Sequence, residues 1–421
     1  MIDDVKSAEK SPGESEEELI KLEQTDSQKK TVKSKASTDN KSGSPIVDFS
    51  INEDGETEEK DPKKKKPSKT RRKWHPTKKE EWFTSLAFIL ICGVVVAFVV
   101  SHSGQKPIAH AAVIAKKVAP VQSTNGLVPS TLSGLPVSPS LNKQAVTGVM
   151  IENSDFARPQ AGLSQASVVF EAIAEAGITR FLALYQDTAP TNIGPIRSVR
   201  PYYEQWALGF DASVAHVGGS PEALADIKSW NVKDLDQFYN SGAYHRISSR
   251  AAPHNMYSSI GALQQLEAKK GFTSTNFSGF PRKQANPLKT PTVNSINLTI
   301  SGPDYAVHYG YNATTNSYNR SEAGAPHTDS NTNKQLSPNV VIAMVVPYSL
   351  EADKYHSDYT VIGTGQVFVF QDGNETKGTW TKTSPSSQIS FKDVNGKTIA
   401  LDPGQTWITA VVSPTDVSAS Q

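Results

Sequence analysis

Along residues 145–287 the apolar positions switch between the strand and the helix periods. AVTGVMI reads as a strand, SVVFEAIAEAG as a strand running into a short helical stretch, and ITRFLALYQ as another strand. PYYEQWALGFD fits a helix, ASVAHV a buried strand, and PEALADIKSW a second helix. SSIGALQQLEAKKG makes a third helix, with Gly271 at its C-terminal cap. This alternation predicts an α/β domain over 145–287. After Pro287 the helical period disappears. INLTI, YAVHYGY, SYNRS, NVVIAMVV, YTVIG, QVFVFQ, GTWTKT, QISFKD, TIALD and TWITAVV are short β-type runs, punctuated by turn signals at Asp372 and Asn395. They predict a β-rich C-terminal domain over 288–415.

The pattern upstream is different. Residues 1–81 are rich in Glu, Lys, Ser, Asp and Thr, a composition that buries too little apolar surface to offset the entropy of ordering, so a disordered tail is expected. Residues 82–101 are uncharged and almost wholly apolar up to Ser101, the length of a membrane-spanning helix. Residues 102–144 mix Pro, Ser, Ala and Gly and read as a linker.

Charge then orients the chain. The total is +1, from 43 basic and 42 acidic residues, which gives the folded part no bias toward nucleic acid. Residues 1–61 hold 17 acidic against 9 basic residues, whereas 62–79 hold 10 basic and none acidic. A basic cluster directly before an apolar span places the tail in the cytoplasm and everything after it outside. The expected location is therefore the cell membrane, single-pass, with an extracytoplasmic globular part and partners in the wall polymer or among envelope proteins. The single cysteine, Cys92, excludes an internal disulfide or a multi-cysteine zinc site.

Candidate chemistry concentrates in residues 193–255, in IGPIRSVRPY, AHVGGSPEA and HRISSRAAPHN. A strand leading through Gly218 and Gly219 to Ser220, Pro221 and a helix is suited to an anion at the helix N-terminus, or to plain capping by Ser220. Arg197 and Arg200 flank the start of a helix, where a cation needs an answering carboxylate or a ligand anion. Glu152, Glu171 and Glu175 are available internally. The candidate ligand-binding set is Arg197, Arg200, His216, Gly218, Gly219, Ser220, Arg250, His254 and Asn255. Catalytic candidates are Glu171 and Glu175, as an acid/base pair, with His216. GGSPE lacks the last glycine of a nucleophile elbow, which argues against Ser220 as a nucleophile. His216, His245 and His254 show no H-E-x-x-H or H-x-H spacing, so no metal and no cofactor is expected. In the β-rich part SYNRSEAGAPHTD reads as a hairpin edge and its loop.

The run GVMIENSDFARPQAGLSQASVVFEAIAEAGITRFLALYQ, followed by IGPIRSVRPYY, AHVGGSPEA and SSRAAPHNMY, resembles the YerB-like envelope lipoproteins. STLSGLPV before it, and VHYGYNATTNSYNRSEAGAPHTD, NVVIAM, GTWTK and PGQTWI after it, extend the resemblance over about residues 131–412. The resemblance implies a two-domain, membrane-tethered extracytoplasmic protein of bacterial type and supplies no activity. Relatives commonly carry a lipid-modified cysteine. Here Cys92 lies inside the apolar run with bulky Leu90 and Ile91 before it, so a helix anchor is expected in place of a lipid.

Overall fold

In the computed structural model, residues 126–421 are described. The expected tail, membrane span and first part of the linker lie outside them. Among the described residues no helix is long and apolar enough to cross a membrane.

Strand β1 (Thr147–Glu152) is followed by a hairpin of β2 (Val168–Glu175) and β3 (Ile178–Tyr185). Helix α1 (Pro201–Leu208), strand β4 (Ser213–Ala215), helix α2 (Pro221–Ser229), strand β5 (Lys233–Asp234) and helix α3 (Ile260–Lys270) complete the N-terminal half. The helices end where their chemistry says they should. Ser220 and Ser259 accept hydrogen bonds from the backbone N–H groups of Ala223 and Ala262, prolines open α1 and α2, and Gly271 closes α3 at φ 80°.

One expected element changes type. EAIAE is strand to its end, because β2 is paired on both sides and its residues are buried throughout. Ala176 and Gly177, at φ 47° and 80°, make the two-residue turn into β3. Helix propensity in this stretch yields to sheet pairing.

The C-terminal half is strand-built. It contains β6 (Ser295–Thr299), β7 (Ala306–Asn312), β8 (Ser317–Glu322), β9 (Val340–Val345), β10 (Tyr348–Leu350), β11 (Ser357–Tyr359), β12 (Gly363–Gln371), β13 (Asn374–Lys382), β14 (Ser390–Asp393), β15 (Thr406–Val411) and β16 (Val417–Ser420). TIALD forms no strand of its own; its residues Thr398 and Leu401 make single bridges to Lys392 and Arg282.

Both halves contribute to one ten-stranded sheet of order β14-β13-β12-β9-β15-β2-β3-β1-β4-β5. The seam is parallel: β15 lies between β9 and β2, with Trp407 opposite Val169 and Thr409 opposite Glu171. The boundary expected at 287–288 falls in an irregular segment between α3 and β6, and the sheet continues across it. A second, antiparallel sheet holds β8, β7, β6 and β16, with Ala325–Pro326 at its edge. The architecture is therefore β-rich in both halves, with three short helices in the first.

The last part of the expected linker is folded. Val128–Pro129 pairs with Pro136–Val137, Leu132 is fully buried, and Ser130 donates to Asp187 at 2.7 Å. Gly134, at φ 76°, makes the turn that a Pro/Ser-rich spacer would not need.

Candidate functional site

The arginines of IGPIRSVRPY turn inward. Arg200 caps α1 from extended backbone and is 1% exposed; its Nη2 donates to Glu175 Oε2 at 2.6 Å and its Nη1 to the Val199 carbonyl at 2.7 Å. Arg180, on β3, donates Nη2 to the other Glu175 oxygen at 2.6 Å and Nη1 to the Ser198 carbonyl at 2.7 Å. Glu175 thus sits between two guanidiniums. Burial raises its pKa, but Arg180 and then Arg200 outweigh it and hold the carboxyl below the usual range. The cation cost anticipated at the start of α1 is met by this carboxylate, so Arg200 belongs to the interior and presents nothing to an incoming anion.

Glu171 has a different partner across the seam. Arg320 Nη2 on β8 donates to its Oε1 at 2.9 Å, and Trp407 Nε1 on β15 donates to its Oε2 at 2.9 Å. The guanidinium also lies over the Trp407 ring at 4.7 Å. Beyond Arg320 the network runs to Glu322, which accepts from Asn153 Nδ2 at 2.7 Å, and to His327, whose Nε2 is 2.8 Å from Gln160 Oε1. Burial, with Arg320 and Arg158 beside it, pushes the His327 pKa well down. SYNRSEAGAPHTD is therefore interior as well as edge. The legible signal was the alternation Tyr318, Arg320, Glu322, which places all three on one strand face. With Glu171 and Glu175 each enclosed in a separate ion-paired group, they do not form an acid/base pair open to substrate.

His216, fully buried at the end of β4, has Nδ1 2.8 Å from the Gly218 carbonyl and Nε2 3.0 Å from Asp234 Oδ1. Burial opposes the imidazolium, yet Asp234 and Asp236 raise its pKa. The glycine turn is satisfied internally too. Gly218 N donates to Asp236 Oδ1 at 3.3 Å, Ser220 N to the Val199 carbonyl at 3.3 Å, and the Ser220 hydroxyl caps α2. Gly218 takes φ 63°, and a Cβ on Gly219 would stand 3.0 Å from Val199 Cγ1. Of the two alternatives for this junction, the geometry is that of capping. His216, Gly218, Gly219 and Ser220 form a structural corner, not a catalytic one.

The remaining candidates meet at a rim. Glu152, at the end of β1, accepts from the Ser154 hydroxyl at 2.7 Å, lies 2.7 Å from His254 Nδ1, and faces Arg197 Nε at 3.7 Å. Burial raises its pKa, but Arg197 and His254 bring it down to about 2. His254 keeps 13% of its side chain exposed, and its ring lies 5.2 Å from that of Phe156, which is 59% exposed. Arg250 clamps the two loops together, donating to the carbonyls of Phe156 and, at 2.7 Å, Pro159. Asn255 staples the second loop, accepting from Arg246 Nη1 at 2.8 Å and donating to the Ile247 and Arg250 carbonyls. Gly194 allows the close approach behind it, since a Cβ there would meet the Met256 carbonyl oxygen at 2.8 Å. Arg158, over the Tyr305 ring at 5.0 Å, extends the rim toward the C-terminal half. Of the residues at this rim, His254, Arg250, Asn255 and Arg197 were sequence candidates, Glu152 was foreseen only as a partner for an arginine, and Phe156 and Ser154 were not singled out. A cleft of about 300 Å³ between Tyr239–Ala243 and α3 is lined by none of these residues.

Comparison with known proteins follows this division of the chain. Residues 132–273 match the N-terminal domain, and 296–408 the C-terminal domain, of a protein of unknown function, DUF3048. YerB of Bacillus subtilis (strain 168), whose given name is that of a lipoprotein, is 28% identical over 295 residues, or 69% of this chain and 88% of the relative. The crystal structure of the Bacillus subtilis YerB protein superposes with a TM-score of 0.64 at 28% identity, covering 70% of this chain and all of that one. The chain belongs to the YerB-like family, whose two DUF3048 domains it carries in order.

Proposed function

We propose that the protein is a membrane-anchored, extracytoplasmic binding protein of the bacterial cell envelope that takes a polar segment of wall polymer at the Phe156–His254 rim. The carrying observation is Phe156, 59% exposed beside a histidine that a carboxylate holds in place. An apolar face with a few oriented polar groups is the usual composition of a ligand site. An aromatic ring offers a platform for a sugar or a side chain. The anchor rests on the apolar run 82–101 after a basic cluster, and the lipoprotein name of YerB supports the same side of the membrane.

Binding of soluble wall fragments to the purified full-length protein tests this reading. Phe156→Ala is expected to weaken it by about tenfold or more, as for an interface anchor; unchanged affinity would sink the proposal. Protease added to intact cells should spare the N-terminal tail, and its digestion from outside would reverse the orientation.

The Glu152–His254 pair supports a second reading, an envelope-polymer hydrolase or transferase with His254 as the proton-transfer group. Ser154 does not complete a triad, because it and Glu152 both face Nδ1, whereas a triad sets hydroxyl and carboxylate on opposite ring nitrogens. Water would be the nucleophile. Loss of turnover with retained binding in His254→Gln would favour this reading over pure binding.

A further inference from the structure

We propose that the turn joining β10 to β11 binds a first-row divalent transition-metal ion, Zn²⁺ or Mn²⁺, through Glu351, Asp353 and His356. One ligand-type atom from each residue lies within 4.8 Å of the other two. Donors about 2.0–2.2 Å from one ion stand roughly 3.3–4.4 Å apart in pairs, so closing the set takes side-chain rotations on the order of 1 Å. The backbone is already held: Glu351 N donates to the His356 carbonyl at 2.8 Å, and His356 bridges to Glu175 of β2.

Glu351 supplies the independent observation. It is only 5% exposed, and its Oε1 has no hydrogen-bond donor. A buried carboxylate oxygen without a donor is costly unless something cationic or protic completes it. The Ser220 hydroxyl, at the N-terminus of α2, lies beside it. Glu222 and Asp353 add negative charge around it, and Arg200 adds positive charge. Arg200 is already paired with Glu175. Asp353 is exposed; its Oδ1 accepts from the backbone N–H groups of Tyr355 and His356 and its Oδ2 pairs with His356 Nδ1, a contact the ion would replace.

One imidazole and two carboxylates suit zinc or manganese better than calcium, which takes six to eight oxygens. Three protein ligands would leave coordination positions for water or a ligand atom.

The test is calorimetric titration of ZnCl₂ and MnCl₂ into full-length protein stripped with EDTA. One ion per chain is expected, with a rise in Tm. Asp353→Asn, which keeps an oxygen for the Tyr355 and His356 backbone N–H groups, should weaken binding by about tenfold or more, and Glu351→Gln likewise, with the metal-free Tm of each variant showing that it is folded. No stoichiometric uptake by the wild type, or wild-type affinity in Asp353→Asn, would overturn the site. Calcium bound as tightly as zinc would overturn the assignment of ion class.

Discussion

Glu175 and Glu152 are both buried carboxylates beside arginine, both are held in the charged form, and they do different things. Glu175 is enclosed by Arg180 and Arg200, each 1% exposed, so its charge is answered within the core. Glu152 is answered by Arg197 and by His254, which reaches the surface beside Phe156. The difference lies in the partner and not in the carboxylate. A carboxylate whose partner is sealed is architecture; one whose partner is exposed orients a group that a ligand can meet. Glu204 makes a third case, fully buried on α1 with no hydrogen bond to either oxygen.

The contrast can be broken from the sealed side first. Glu175→Ala leaves two guanidiniums buried without their carboxylate and should cost about 3–5 kcal/mol. Urea unfolding would measure this, and a loss below about 1 kcal/mol, the scale of an exposed pair, would show that Glu175 is not enclosed.

Acid tests the rim. With a folded pKa of about 2 against an ordinary glutamate value of 4.5, Glu152 contributes stability above pH 4.5 that is lost as pH falls through the folded value. By linkage that contribution is on the order of 3 kcal/mol. Tm measured from pH 5 to pH 2 should therefore fall less steeply in Glu152→Gln than in the wild type.

Glu204 has the opposite sign. Burial first, then Asp226, Asp234 and Glu351, push its pKa to about 10. The folded state keeps a proton that the unfolded state releases above pH 4.5, so stability falls as pH rises through that window. Glu204→Gln should be more stable at pH 8, by on the order of 5 kcal/mol, and nearly neutral at pH 4. Equal stability at both values would mean that Glu204 is solvated.

Much of this fold was legible in the chain. A capping serine at 220, prolines at 201 and 221, and Gly271 marked the helices because caps and turns are local chemistry. The hairpin at Asp372–Gly373 was legible for the same reason, both residues taking positive φ. EAIAE was misread because its strand state is set by pairing, with β3 along its length and with β15, more than two hundred residues away, at Glu171 alone. Partner choice was equally hidden. Arg197, Arg200 and Glu175 were recognised as possible ion-pair partners, but nothing local shows which of them face each other. The pairing of Glu171 with Arg320 spans 149 residues. Phe156 escaped notice because a single aromatic residue in a short, mostly polar stretch carries no periodic signal, and only the structure shows that it is exposed.

The most direct test of the central claim, that the rim recognises ligand and the sealed arginine layer does not, is the affinity of Phe156→Ala for wall fragments beside its Tm. Binding weakened by about tenfold or more, with stability within about 0.5 kcal/mol of wild type, is the predicted result. Wild-type affinity in this variant would contradict the claim and move the search for the ligand away from the Phe156–His254 rim.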